Sequence, residues 1–392
     1  MLKQGTTKIL LPHLMLFLVS LNSSIIPPLI GPLFIEAQGL FPNTPQSFRI
    51  NMYSQVMGVY FIGVIVGSYL CGKLADRIGN KKTLLLCLFG ALLGNILCLW
   101  SLWVISFILF FAGRIIDGLM AGRRAVILSM ISYTTPDKLQ SFRYSETTNA
   151  AGLLVGPALC GFLINYHAPV PLYYYSWPFL IMFALGVFNL IVLPKISNKP
   201  QNSTAKQSSF NLVMSLRNPV ILTHAMLSFV WGLYYISILP FGVVKHQLGV
   251  ATVGILFTAM VLFYIAFLTI TQYLTVRGYK LFQNNNFAIL LLIIGLFSLA
   301  TFGIYWQLFL FSNLLIVLSF SLINPAYLNL IVNISEDNNR GTFIGLHNGI
   351  TGLAIAVAAL ISGVLFNLSL SLPFFVAAGI AFLVVPLSTG RL

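Results

Sequence analysis

Apolar runs of bilayer-spanning length recur from one end of this chain to the other, and only 7% of its 392 residues are charged. About twenty apolar residues cross the hydrocarbon of a bilayer as a helix. Water is absent there, so every backbone N–H and C=O must pair inside its own segment. The chain can therefore fold only as a bundle of membrane-spanning helices, with most of its charges gathered at the two faces.

The apolar runs predict an all-α polytopic membrane protein of twelve transmembrane helices, at about 8–30, 50–72, 83–100, 104–133, 143–166, 172–193, 219–241, 252–274, 285–303, 306–333, 341–367 and 369–388. Lys3 and Lys8 precede the first run, which lacks a small-x-small cleavage site and continues into Asn22 and Pro27-Pro28. It reads as the first span and not as a removed signal peptide. The stretch 194–218 is rich in Ser, Asn, Gln and Lys and poor in large apolar residues. It reads as a linker, dividing the chain into a six-helix bundle at 1–193 and a second at 219–392.

The formal charge of +14 suggests no nucleic-acid partner, because the basic residues are scattered one or two per loop. They instead set topology. With the N-terminus inside, sixteen of the Lys and Arg residues fall on the cytoplasmic side and only Arg49 and Lys245 on the other. Both termini and the linker are therefore expected in the cytoplasm. The four cysteines, Cys71, Cys87, Cys98 and Cys160, lie in or beside apolar runs without metal spacing. Neither a disulfide, a metal site nor a cofactor is expected.

Between the second and third runs lies Gly72–Leu84, GKLADRIGNKKTL, with five charges in ten residues. Such a stretch is expected as a short loop at a membrane face. Gly72, Leu74, Asp76, Arg77, Gly79 and Lys81 resemble the loop between helices 2 and 3 of the major facilitator superfamily, Gly-x-Leu-Ala-Asp-Arg-x-Gly-x-Lys, with Asn80 replacing the usual basic residue. The halves also repeat. An acidic-polar turn precedes Arg143 in one and Arg340 in the other, with Gly152 and Gly349 each nine residues later. Two related six-helix halves are what that fold implies. The resemblance further implies that Gly72, Asp76, Arg77, Gly79 and Lys81 form a conformational latch.

The fourth run carries Arg114, Asp117, Arg123 and Arg124. At 100° per residue Arg114, Asp117 and Arg124 share a face, and Arg123 points nearly opposite to Arg114. Arg114 and Gly118 resemble the helix-4 motif of the superfamily, Arg-x-x-x-Gly, with Asp117 where Gln is common. Intramembrane charges face wet cavities or pair with one another. Arg114 and Asp117, three apart, can simply neutralise each other, and Arg124 can reach toward the surface. In the superfamily helices 1, 4, 7 and 10 line the central cavity. The resemblance thus implies Asn22, Arg114, Asp117, Arg124, His224, Tyr234 and Asn324 as substrate-cavity residues. A packing role is the competing reading for His224 and for His347.

The fifth run holds Gly152, Gly156, Pro157 and Gly161. Small residues at this spacing allow close helix contact, and Pro157 removes a helix hydrogen bond. The pattern resembles the Gly-Pro motif of the antiporter branch, the drug and metabolite exporters. Asp117, inside a span, and Glu146, near a span's edge, are the candidates for proton coupling; helix N-terminal stabilisation is the alternative for Glu146. The resemblance implies a monomeric secondary active transporter working by alternating access in a bacterial inner membrane. Its partners would be protons, the lipid bilayer and a small organic solute; Arg114 and Arg124 on one face would suit an anionic one such as a carboxylate siderophore. Export is the preferred direction, and a proton-coupled importer is the alternative. A polytopic membrane enzyme is disfavoured, because seven acids in all and no nucleotide or metal motif leave it little chemistry.

Overall fold

The computed structural model describes residues 2–36, 39–132, 138–164, 172–196, 218–277, 285–334 and 340–389. Most of the expected linker, 197–217, lies outside the described residues, as do 133–137 and 278–280.

The described chain is a succession of helices with no strand among the described residues. In order they are α1 (Leu2–Ile35), α2 (Gln46–Ile78), α3 (Asn80–Val104), α4 (Phe107–Leu119), α5 (Arg123–Ser132), α6 (Lys138–Leu163), α7 (Ser176–Val192), α8 (Pro219–His246), α9 (Val250–Val276), α10 (Asn285–Phe302), α11 (Trp306–Ile334), α12 (Arg340–Leu368) and α13 (Leu372–Thr389). A single 3₁₀ turn, Met120–Gly122, joins α4 to α5, so these two make one interrupted span. Among the described residues nine helices are long and apolar enough to cross a bilayer, and α6 and α13 contain shorter apolar stretches. With the α4–α5 rod they make the twelve spans expected from the sequence. Large apolar side chains such as Phe162, Ile108 and Trp103 stand exposed on the outside, which hydrocarbon tolerates and water would not.

The expectation of a loop over the charged stretch needs correction. Helix α2 runs to Ile78 and α3 begins at Asn80. The whole reversal falls at Gly79, whose φ of 87° is open to glycine and strained for other residues. A helix can continue past the apolar boundary because its backbone pairs within the segment whatever solvates its side chains.

The chain forms two compact units. One comprises Met1–Thr44, Val59–Ala205 and Leu248–Thr258; the other comprises Pro45–Gly58, Lys206–Gln247 and Ala259–Leu392. In the first, α1 and α6 meet backbone to backbone. A Cβ on Gly152 would come within 2.6 Å of the Phe17 carbonyl oxygen, and one on Gly156 within 2.8 Å of that of Leu21. Ser24 Oγ donates to the Gly152 carbonyl at 3.1 Å, and Ser20 Oγ donates to Asn149 Oδ1 at 2.8 Å. Further along α6, a Cβ on Gly161 would lie 3.0 Å from the Ala251 carbonyl oxygen at the start of α9. The glycines of the Gly-Pro motif therefore all lie at helix contacts.

In the second unit α8 packs on α12 through Gly232, where a Cβ would meet that of Ala358 at 2.8 Å. Phe241, Phe309 and Phe374 are all fully buried and close the core by ring contacts.

Candidate functional site

Three glycines position the buried charges of α4. A Cβ on Gly94 of α3 would lie 2.9 Å from the Gly113 carbonyl oxygen, so α3 and α4 touch along their backbones. On the other side a Cβ on Gly118 would collide with the Tyr60 carbonyl oxygen of α2. That approach brings the Tyr60 ring over Arg114, with the guanidinium carbon 4.1 Å from the ring centre. A cation over an aromatic face gains about 0.5–2 kcal/mol, most when desolvated.

Asp117 sits between two guanidiniums. Arg114 Nη1 donates to its Oδ2 at 3.1 Å, and Arg123 Nη1 donates to its Oδ1 at 3.0 Å. All three residues are buried, at 3%, 3% and 4% exposure for Arg114, Asp117 and Arg123. The Arg123 contact departs from ideal helical spacing, which turns Arg123 away from this face. The intervening 3₁₀ turn supplies the difference: its three residues each advance about 120° instead of 100°, rotating Arg123 toward Asp117 by about 60°. Arg123 Nη1 also donates to the Met120 carbonyl at 3.5 Å, which accepts the Arg123 backbone N–H as well.

The cluster carries two positive charges and one negative. Removing one member of a buried ion pair costs about 3–5 kcal/mol, because it strands its partner in a medium that solvates charge poorly. Asp117 is the one acidic member of the cluster, flanked by two guanidiniums. The facing titratable groups are Tyr60 and Cys71 from α2 and Cys87 and Cys98 from α3.

Beside Arg123 a narrow recess is lined by Asn22 of α1, Asn95 of α3 and Asn189 of α7, with small and apolar neighbours including Ala91 and Gly186. Asn22 Nδ2 donates to the Met182 carbonyl at 2.8 Å, and Asn189 Nδ2 donates to that of Leu185 at 3.1 Å. Their Oδ1 atoms are buried and have no hydrogen-bond partner among the described residues. An unmet buried acceptor costs about 1–3 kcal/mol.

The remaining sequence candidates divide by location. Arg124 is exposed while Arg123 is buried, so the guanidinium that joins Arg114 at Asp117 is the one helical periodicity had placed on the far side. His224 is buried on α8, its Nε2 3.1 Å from Thr351 Oγ1 and 3.4 Å from Ser228 Oγ, with its ring stacked on Tyr327. Tyr234 is buried and donates to Asn313 Oδ1 at 2.6 Å. Asn324 is exposed on α11. Gly72 and Arg77 are exposed near the end of α2. Lys81 Nζ donates to the carbonyls of Pro194 at 2.8 Å and Ile196 at 3.1 Å, tying the start of α3 to the segment after α7. The side chains of Asp76, Arg143, Glu146 and His347 lie outside the described residues.

Sequence reasoning missed Asn95, Asn189 and Tyr60. Nothing in their spacing marks them. The one signal available was the polar character of Asn95 and Asn189 within apolar runs.

The pattern of the Major Facilitator Superfamily matches residues 13–318 and 220–389. The quinolone resistance protein NorA of Staphylococcus aureus (strain MRSA252) is 23% identical over 386 residues, covering 93% of this chain and 92% of that protein. The class H tetracycline resistance protein of Pasteurella multocida is 28% identical over 165 residues, 40% of each chain. Among solved structures, a D-xylose-proton symporter superposes with a TM-score of 0.78 at 18% identity, covering 97% of this chain and 96% of that one. The human organic anion transporter MFSD10 gives 0.68 at 16% identity, with 98% and 99% covered.

Proposed function

The chain belongs to the major facilitator superfamily; it is a multi-pass secondary transporter of small molecules, not an enzyme, and we propose that it is a proton-coupled exporter of a small organic solute. The single observation that carries this reading is Asp117, a buried carboxylate held between Arg114 and Arg123. A carrier driven by protons needs a group whose charge changes between states. A carboxyl group has that chemistry, and Asp117 is the acidic member of the buried cluster. The likeness to quinolone and tetracycline resistance proteins supports outward transport.

The cluster's excess positive charge favours a solute bearing a carboxylate or phosphate. Exposed Arg124 is the candidate for its first contact, since guanidinium offers planar paired donors. Asn22, His224, Tyr234 and Asn324 are proposed to contribute to the same route. The working carrier is a monomer in a bacterial inner membrane, with bundles 1–193 and 219–392 joined by the cytoplasmic linker 194–218. Gly72, Asp76, Arg77, Gly79 and Lys81 form its cytoplasmic latch, and the small residues around Pro157 let α6 move against its neighbours. Glu146 is the second candidate for proton exchange.

The test is uptake into inside-out vesicles with an acidic interior, using anionic, neutral and cationic solutes. An anionic solute accumulates with the wild type. Asp117→Asn loses accumulation driven by the pH gradient and keeps exchange of solute across the membrane. Undiminished accumulation by Asp117→Asn moves the proton site elsewhere, to Glu146 first. Proton-driven uptake into right-side-out vesicles would make the carrier an importer.

A further inference from the structure

Arg123 lies between two sets of acceptors. On one side is Asp117 Oδ1, 3.0 Å from its Nη1. On the other is the recess that Arg123 lines together with Asn22, Asn95 and Asn189. Two amide oxygens there, Asn22 Oδ1 and Asn189 Oδ1, have no partner among the described residues. Asn22 is 7% and Asn189 1% exposed, so neither can rely on bulk water. The opposite ends of both amides are fixed as donors by backbone carbonyls, those of Met182 and Leu185. What the recess offers is therefore acceptors, and it suits a donor-rich cation. The group with spare donors at its wall is the Arg123 guanidinium, which carries five N–H bonds.

We propose that Arg123 is a two-position switch: it holds Asp117 while the carboxylate is ionised, and it moves to the Oδ1 atoms of Asn22 and Asn189 when Asp117 takes up a proton. The inference rests on Asp117 as the proton-binding group. Protonation turns an anion into a neutral acid and removes most of the attraction that keeps Arg123 in place. Arg114 remains beside Asp117 with its guanidinium against Tyr60. Arg123 is free to exchange one set of acceptors for another without entering hydrocarbon. The charged and titratable groups facing it are Asp117 and Arg114 from its own rod, Tyr60 and Cys71 from α2 and Cys87 from α3; α1 and α7 present the neutral amides. Asn22 and Asn189 belong to α1 and α7, so the movement transfers a tether from within α4–α5 to two other helices. A proton would thereby change which helices are bound together, as alternating access requires.

The acceptors of the recess stabilise the protonated state, so losing them must make Asp117 harder to protonate. The measurement is the pH midpoint for reaction of Asp117 with dicyclohexylcarbodiimide, which attacks the protonated carboxyl, read by peptide mass spectrometry on the purified full-length protein. Asn189→Leu lowers the midpoint by about one pH unit, the scale of a single strong hydrogen-bonding or charge contact. Asn189→Asp, which offers Arg123 a charged partner, raises it. In an Arg123→Gln background the same substitutions leave the midpoint in place. Equal shifts in both backgrounds, or none in either, overturn the switch. Asn22→Leu repeats the cycle at the second acceptor if Asn189→Leu fails to accumulate. Failure of the coupling role reads differently: Asp117→Asn would still drive accumulation while the midpoint cycle held.

Discussion

Arg123 Nη1 approaches Asp117 Oδ1 to 3.0 Å across a single 3₁₀ turn, six residues along the chain. Six residues of regular helix would separate the two by about 120°. The turn thus converts a spacing unsuited to pairing into a buried ion pair, and leaves Asp117 with a cation on each oxygen.

That arrangement ranks the cost of deleting each member. Asp117→Ala strands two buried guanidiniums and should destabilise the protein by about 3–5 kcal/mol or more. Arg123→Ala leaves the Arg114–Asp117 pair intact, at 3.1 Å, and should cost distinctly less. Thermal unfolding of the purified variants in one detergent checks the order. A larger loss for Arg123→Ala than for Asp117→Ala would contradict the charge count.

The bundle was legible in the sequence because hydrocarbon permits so few backbone solutions: length and apolarity alone mark the spans. Asp117 and Arg114 were legible because ionised residues are rare inside such runs. The role of Arg123 was not, because it depends on three residues, Met120–Gly122, leaving the α-helical period. Gly122 sits in that turn, where a Cβ would meet the Cβ of Cys71 at 2.6 Å, so packing against α2 accompanies the change of period. Amphipathic periodicity assumes one period throughout and cannot register such a shift. The recess was equally hidden, since Asn22, Asn95 and Asn189 come together only once α1, α3 and α7 pack.

Gly156 tests the contact between α1 and α6. A Cβ there would come within 2.8 Å of the Leu21 carbonyl oxygen, a backbone atom that cannot swing aside. Gly156→Val forces the helices apart and should destabilise the first unit by about 1–3 kcal/mol. Gly379, with open space around its position, provides the control. Gly379→Ala should match the wild type in membrane level and unfolding temperature while Gly156→Val falls in both. Equal behaviour of the two variants would remove close packing as the reason for glycine in α6.

Topology follows from the charge bias. Single cysteines at Asn202 and Asn43, in a background without the four native cysteines, should react with a membrane-impermeant reagent from opposite sides of sealed cells. Asn43 is exposed between α1 and α2, and Asn202 falls in the basic linker. The basis is the sixteen-to-two distribution of Lys and Arg. Labelling of both from outside would reverse the assignment of the linker to the cytoplasm.

Glu36 gives the protein's stability a pH dependence. It follows the last residue of α1 and accepts a hydrogen bond from Tyr175 Oη at 3.1 Å. Burial pushes its carboxyl above the ordinary range, and the Tyr175 bond offsets this only in part. A raised value means that the folded protein holds the proton more tightly than the unfolded chain does. The resulting stability is fully present below the ordinary glutamate value, about 4.3, and is lost as pH climbs through the raised one. Glu36→Gln keeps an acceptor for Tyr175 and carries no charge at any pH. Its unfolding temperature, relative to the wild type, should therefore rise as pH climbs above the ordinary glutamate value of about 4.3. A difference that stays flat over that climb, or shrinks, would mean that the ionised carboxylate is well solvated where it stands.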